Sequence, residues 1–149
     1  MNRRRALATT LATTLAIAMT ALRPAAATPL SGQEARDVRT VVEAQLRAMA
    51  AGDAERAFSY AAPAIRAQFG DAQRFMAMVA GTYPMVIRPA ATVFFQPTRD
   101  ADGNVLQVVQ LRDSAGKLWR ASYLLARQPD SPWRIAGCVV APGAAGNAT

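Results

Sequence analysis

The spacing of hydrophobic positions changes once along this chain, from a period of three to four residues to a period of two. Val38, Val41, Val42, Leu46 and Met49 fall on one helical stripe, with Arg36, Arg39, Glu43 and Arg47 off it. Ser31-Gly32-Gln33-Glu34 ahead of the stripe reads as a capping box, and Gly52 ends the helix. Asp53 then caps a shorter helix carrying Ala54, Ala57, Phe58 and Ala61, and Pro63 suits the first turn of another with Ile65 and Phe69. Gly70-Asp71 breaks and recaps the chain for Ala72 to Ala80, with Phe75, Met78 and Val79 inward. Gly81, Pro84 and Pro89 forbid further helix. From Thr92 to Gln96 the pattern becomes that of a strand, and a loop at Asp100 to Gly103 leads into a three-stranded meander.

The meander fixes its own register. Val105 to Arg112 is rich in β-branched residues and stops at Asp113-Ser114-Ala115-Gly116, a hairpin signal. A three-residue loop at Ser114 to Gly116 places Leu111 opposite Trp119, Val109 opposite Ala121, Gln107 opposite Tyr123 and Val105 opposite Leu125. The next turn, Gln128 to Pro132, holds two prolines that cannot donate to a ladder, and the chain returns as Trp133 to Val140. Continuing the count sets Leu125 by Ile135 and Tyr123 by Gly137. One face is then apolar apart from Gln107 and the Tyr123 hydroxyl. The other carries Arg112, Arg120 and Arg134 around Leu106, Val108, Leu124, Cys138 and Val140. Helices followed by an antiparallel sheet of about four strands define an α+β fold.

Composition adds a compartment. Arg3-Arg4-Arg5, a weakly apolar run from Ala6 to Leu22 and Ala25-Ala26-Ala27 form the three parts of a cleaved export signal over residues 1–27. Threonines dilute the run, which makes it marginal as a membrane span; a retained anchor is the alternative. The paired arginines resemble a twin-arginine signal without its usual aromatic and lysine, so that route and the general secretory route both stand. Either predicts a periplasmic or secreted protein with no stable membrane insertion once the signal is cut. Residues 28–142 suffice for one α+β domain, and 143–149 form a small polar tail expected to be disordered. The formal charge of +7 loses four arginines with the signal, and the rest are scattered, which argues against nucleic-acid binding.

The absence of histidine and the single cysteine remove the commonest general base, the commonest zinc ligand and any intramolecular disulfide. No metal site and no cofactor are expected. Cys138 reads as a small buried hydrophobe, an intermolecular bridge or a reactive thiol. The carboxylates Asp53, Glu55, Asp71, Asp100, Asp102, Asp113 and Asp130 nearly all stand where caps and turns want them. No catalytic residue can be assigned.

Several strings are nonetheless familiar: Ala57-Phe58-Ser59-Tyr60-Ala61, Phe69-Gly70, Phe75-Met76-Ala77-Met78-Val79, Tyr83-Pro84, Arg88-Pro89 and Trp133-Arg134-Ile135-Ala136-Gly137-Cys138. Over nearly all of Gln33 to Val140 the chain resembles a bacterial family of exported proteins classed as a domain of unknown function. More distantly it is similar to the nuclear-transport-factor-two-like superfamily, which implies helices packed into a curved, cone-like sheet. The histidine–aspartate dyads of that superfamily's dehydratases have no counterpart here. The resulting expectation is a non-catalytic exported module that binds a small apolar ligand or a protein partner. Gln107, Trp119 and Tyr123 are the ligand-binding candidates, set against the plainer reading that they fill the core. Leu106, Val108, Leu124 and Cys138 are the candidates for a partner or homodimer face, set against cover by an early helix or the tail. The alternative is an enzyme of isomerase or lyase type using carboxylate and tyrosine acid–base chemistry in a cone-shaped pocket.

Overall fold

The computed structural model describes residues 29–129 and 131–144. The expected export signal, 1–27, and most of the expected tail, 145–149, lie outside them. Helix α1 (Gly32–Ala50) begins at the expected capping box: the Ser31 hydroxyl accepts from the Glu34 amide at 3.1 Å, and the Ser31 amide donates to the Glu34 carboxylate at 3.0 Å. Its stripe is buried, joined by Gln45 and Ala48. Asp53 and Asp71 cap α2 (Ala54–Ser59) and α4 (Ala72–Thr82) by accepting from Arg56 and Arg74 amides. Between them lies α3 (Pro63–Phe69). The prolines after Gly81 do not end helical structure as expected. Pro84 sits at the first position of a short α5 (Pro84–Ile87), where a missing amide costs nothing, and Val86 is buried there.

Five antiparallel strands follow: β1 (Ala91–Phe94), β2 (Thr98–Arg99), β3 (Val105–Arg112), β4 (Leu118–Gln128) and β5 (Ser131–Pro142). Their order is β1-β3-β4-β5, with β2 also beside β3, and the sheet does not close. The four pairs expected between β3 and β4 are those observed. Asp113 builds their connection: its Oδ1 accepts from the Ala115 and Lys117 amides, and Gly116 takes the positive φ that the turn requires.

Register fails one strand later. Leu125 pairs with Ile135 as counted, but a bulge leaves Ala136 unpaired, so Leu124 meets Gly137 and Tyr123 meets Cys138. Because side chains alternate, one extra residue exchanges the faces of everything beyond it. Cys138 and Val140 therefore belong to the inner face with Tyr123 and Ala121, and Val139 points outward. The turn before β5 is also shorter than expected: Gln128 pairs with Ser131, and Pro132 is part of the strand. This is tolerable because β5 is an edge strand, whose outer side needs no continuous row of donors. Part of that edge is covered, since the Ile135 amide donates to Tyr60 O and the Ala62 amide to Ile135 O, both at 2.8 Å.

The helices pack on the inner face, α1 against β3 and β5, α3 against β5 and α5 against β3. At one end Glu34 of α1 meets Arg99 at 2.8 Å and Arg127 at 3.2 Å, and both guanidiniums lie over the Trp133 ring. Among the described residues no helix is long and apolar enough to cross a membrane.

Candidate functional site

A cavity of about 280 Å³ lies between the helices and the inner face of β4 and β5. Its helical wall is mostly apolar, with Met49 from α1, Ile65 and Phe69 from α3, and Phe75, Met78 and Val79 from α4, beside the polar Gln45 and Gln68. Phe75 is clamped by ring contacts with Phe58 and Phe69, centroids 5.4 and 5.6 Å away. The sheet supplies Tyr123, Ile135, Cys138 and Val140. The bulge at Ala136 brings the last two here, so the kink in β5 creates much of this wall.

The polar side chains of the lining are Gln45, Gln68, Tyr83 and Tyr123, with the Cys138 thiol. Gln45, buried, donates from Nε2 to Ala57 O at 3.2 Å. Tyr123 is 1 % exposed, and its hydroxyl finds no hydrogen-bond partner among the described residues. The neighbouring Cys138 sulfur is too weak a partner to satisfy it. Burial pushes the Tyr123 phenol well above its ordinary range, and the Cys138 sulfur beside it adds to the shift. Desolvation likewise pushes the Cys138 thiol up to about 12, although the residue as a whole is exposed at the cavity mouth. Both groups stay protonated near neutral pH. No aspartate, glutamate, lysine or arginine lines the cavity.

Of the three ligand-binding candidates, only Tyr123 reaches this space. Gln107 is fully buried elsewhere: its Nε2 donates to Phe95 O at 2.7 Å and Val108 O at 3.0 Å, which ties the segment after β1 to β3. Trp119 is half-buried at the far end of β4, where its indole donates to Asp113 Oδ2 at 2.9 Å and Lys117 Nζ lies 4.0 Å from the ring centroid. That indole bond is the main cause of a lowered Asp113 pKa. Of the face candidates, Leu106, Val108 and Leu124 lie on the outer face, and Cys138 lies opposite Tyr123 on the inner one. A face-to-face contact through the outer side would therefore not bring two Cys138 thiols together. The residues missed in sequence, Gln45, Met49 and Val140, carried no signal beyond apolar or polar periodicity. Among the described residues no cluster of three or more histidine, cysteine or acidic side chains could hold a metal ion.

The family model described as a domain of unknown function, DUF4864, matches residues 31–148. The chain belongs to this family. Neither curated proteins nor solved structures offer a significant match. The match starts at Ser31, the capping residue of α1, and so spans every element around the cavity.

Proposed function

We propose that this member of DUF4864 is an exported, non-catalytic module that binds a small apolar ligand in its inner cavity. The observation that carries the reading is the cavity itself, about 280 Å³ of space whose lining is mostly apolar and holds no charged side chain. A compact apolar ligand that fills it removes its own apolar surface from water and gains the contacts that the wall otherwise lacks. The acid–base alternative has less support: Asp53 and Asp71 cap helices, and Asp100 and Asp113 hold turns. The signal-like residues 1–27 support a periplasmic or secreted location. Helices packed on one face of an open antiparallel sheet support a distant kinship with the nuclear-transport-factor-two-like superfamily.

Thermal-shift measurement with a panel of small apolar compounds tests the reading. Binders should raise the melting temperature of the parent and not of Met78→Trp, which fills the cavity from α4. A panel without any stabilising compound would refute it.

A second reading concerns the outer face, where a second copy of the chain is the proposed partner. Val93, Phe95, Leu106 and Val139, the exposed large hydrophobics among the described residues at 54, 41, 38 and 67 % exposure, all stand on that side of the sheet.

A further inference from the structure

We propose that the apolar group taken up by the cavity is a side chain of an extended peptide, whose backbone adds a strand to the open edge of β5 at Cys138 and Val140. This rests on the ligand-binding reading above and names the partner class of the same site. Three observations lead there.

The first is a short row of open backbone groups. Beyond the bulge β5 keeps a constant register with β4 from Gly137 to Pro142, and the Gly143 amide donates to Leu118 O at 2.8 Å. Backbone groups alternate in direction along an antiparallel pair, so that bond sets the phase: Gly137, Val139 and Ala141 face β4, whereas Cys138 and Val140 turn N–H and C=O away from the sheet. Among the described residues no other backbone group bonds to these four. The chain's own Tyr60–Ala62 segment already uses this edge in the same way, bridging Ile135 with two bonds of 2.8 Å, but goes no further along it.

The second observation is what lies beside that row. A residue paired with Cys138 or Val140 points its side chain to the same face as theirs, and both of them line the cavity. A neighbouring strand runs about 4.8 Å from β5, which brings its inward side chains against the cavity mouth where Cys138 is exposed. The third is the lining. No charged side chain is present to pair with an ionised one, which would lose its hydration without compensation, so the inserted side chain is apolar. A volume of about 280 Å³ falls just below the range of about 300 to 1,000 Å³ typical of small-molecule pockets, and suits a side chain. Gln68, exposed, and Tyr83, half-buried, supply polar groups that the amides flanking that side chain can meet. In such a complex the edge bonds give affinity and the pocket gives specificity.

The test is amide-resolved NMR titration of the full-length protein with three blocked peptides: acetyl-Thr-Thr-Leu-Thr-Thr-amide, its central-aspartate counterpart and its fully N-methylated counterpart. The leucine peptide should bind, and at saturation it should slow hydrogen exchange of the Cys138 and Val140 amides at least about tenfold. At pH 7 the aspartate peptide should bind at least about tenfold more weakly, and so should the N-methylated one, which keeps the leucine but cannot donate to a strand. Val140→Pro removes one outward amide without touching a bond to β4, and should weaken the leucine peptide about threefold to tenfold. Should that variant fail to fold, exchange of the two amides in the parent decides the matter alone. A leucine peptide that binds with those amides unprotected, or no more tightly than its N-methylated form, would overturn the strand pairing. So would failure of all three peptides to bind while an apolar compound of the thermal-shift panel stabilises the protein, and the cavity reading survives both results. Peptides and panel silent together would refute the cavity reading and this inference with it.

Discussion

At the scale of single residues, the chemistry of the inner face is that of two protonated groups. Cys138 is exposed at the cavity mouth, yet its thiol is held up to about 12 by desolvation, so almost none of it is thiolate at pH 8. Alkylation by iodoacetamide at that pH should run at least about a hundredfold slower in the folded protein than in urea, where an ordinary thiol is restored. Equal rates would mean that the sulfur is solvated. Tyr123 makes a different prediction. Among the described residues its hydroxyl has no partner stronger than the Cys138 sulfur and bears a desolvation cost, so Tyr123→Phe should leave stability unchanged or raise it by about 1 kcal/mol in urea denaturation without ligand. A loss of more than that would identify a protein partner for the hydroxyl. Gln107 is a mixed case: its amide nitrogen holds Phe95 O and also Val108 O, which accepts from the Phe95 amide as well, while its own Oε1 has no hydrogen-bond partner among the described residues.

Among the elements, local rules made the helices legible and a non-local event hid the last strand's facing. The caps at Ser31, Asp53 and Asp71 and the stripe from Val38 to Met49 depend on residues at most a few turns apart, and all of them are realised. The β3–β4 register was equally readable because Asp113 and Gly116 define a three-residue loop. The bulge at Ala136 has a weaker marker, the adjacent Gly137, which a strand also carries without a bulge; it arises where β5 must follow β4 and also meet the Tyr60–Ala62 backbone. The two tryptophans, alike in sequence as strand anchors, are separated by burial. Trp133→Ala, at a side chain 2 % exposed, should cost about 3 to 5 kcal/mol, and Trp119→Ala, at a half-buried side chain, clearly less. The contact between α1 and the sheet adds a pH signature. The Arg99 hydrogen bond, with the Ser31 amide, lowers the Glu34 pKa from 4.5 to about 2. A carboxyl whose folded pKa is depressed stabilises the fold above its ordinary value, and that contribution is lost as pH falls from 4.5 towards 2. Stability of the parent should therefore decline more steeply across that window than stability of Glu34→Gln.

For the whole molecule, the α+β class was legible because periodicity and order along the chain set it, whereas the cavity was not, because it is bounded by residues from four helices and two strands. Only Tyr123 carried a usable signal, a polar tip in an apolar face. The outer face was legible in part: Leu106, Val108 and Leu124 were placed by the β3–β4 register, while Val139 was hidden by the bulge. Helices from α1 to α5 occupy the inner side, so among the described residues no element lies across Val93, Phe95, Leu106 and Val139. Arg120 bends over the Phe95 ring at 5.7 Å and shields part of that patch within its own chain. If a second copy covers the rest, sedimentation velocity of the parent should show a dimer that dissociates on dilution. Val139→Glu is the sharper disruption, because a side chain 67 % exposed in the single chain can become charged with little cost to the fold, but not in an apolar interface, where an unpaired carboxylate would be buried twice by symmetry. The variant should sediment as a monomer with the melting behaviour of the dissociated parent. Val108→Glu, at a half-buried site on the same face, should dissociate the dimer too and also lower stability somewhat. A parent that stays monomeric at high concentration would refute self-association through this face.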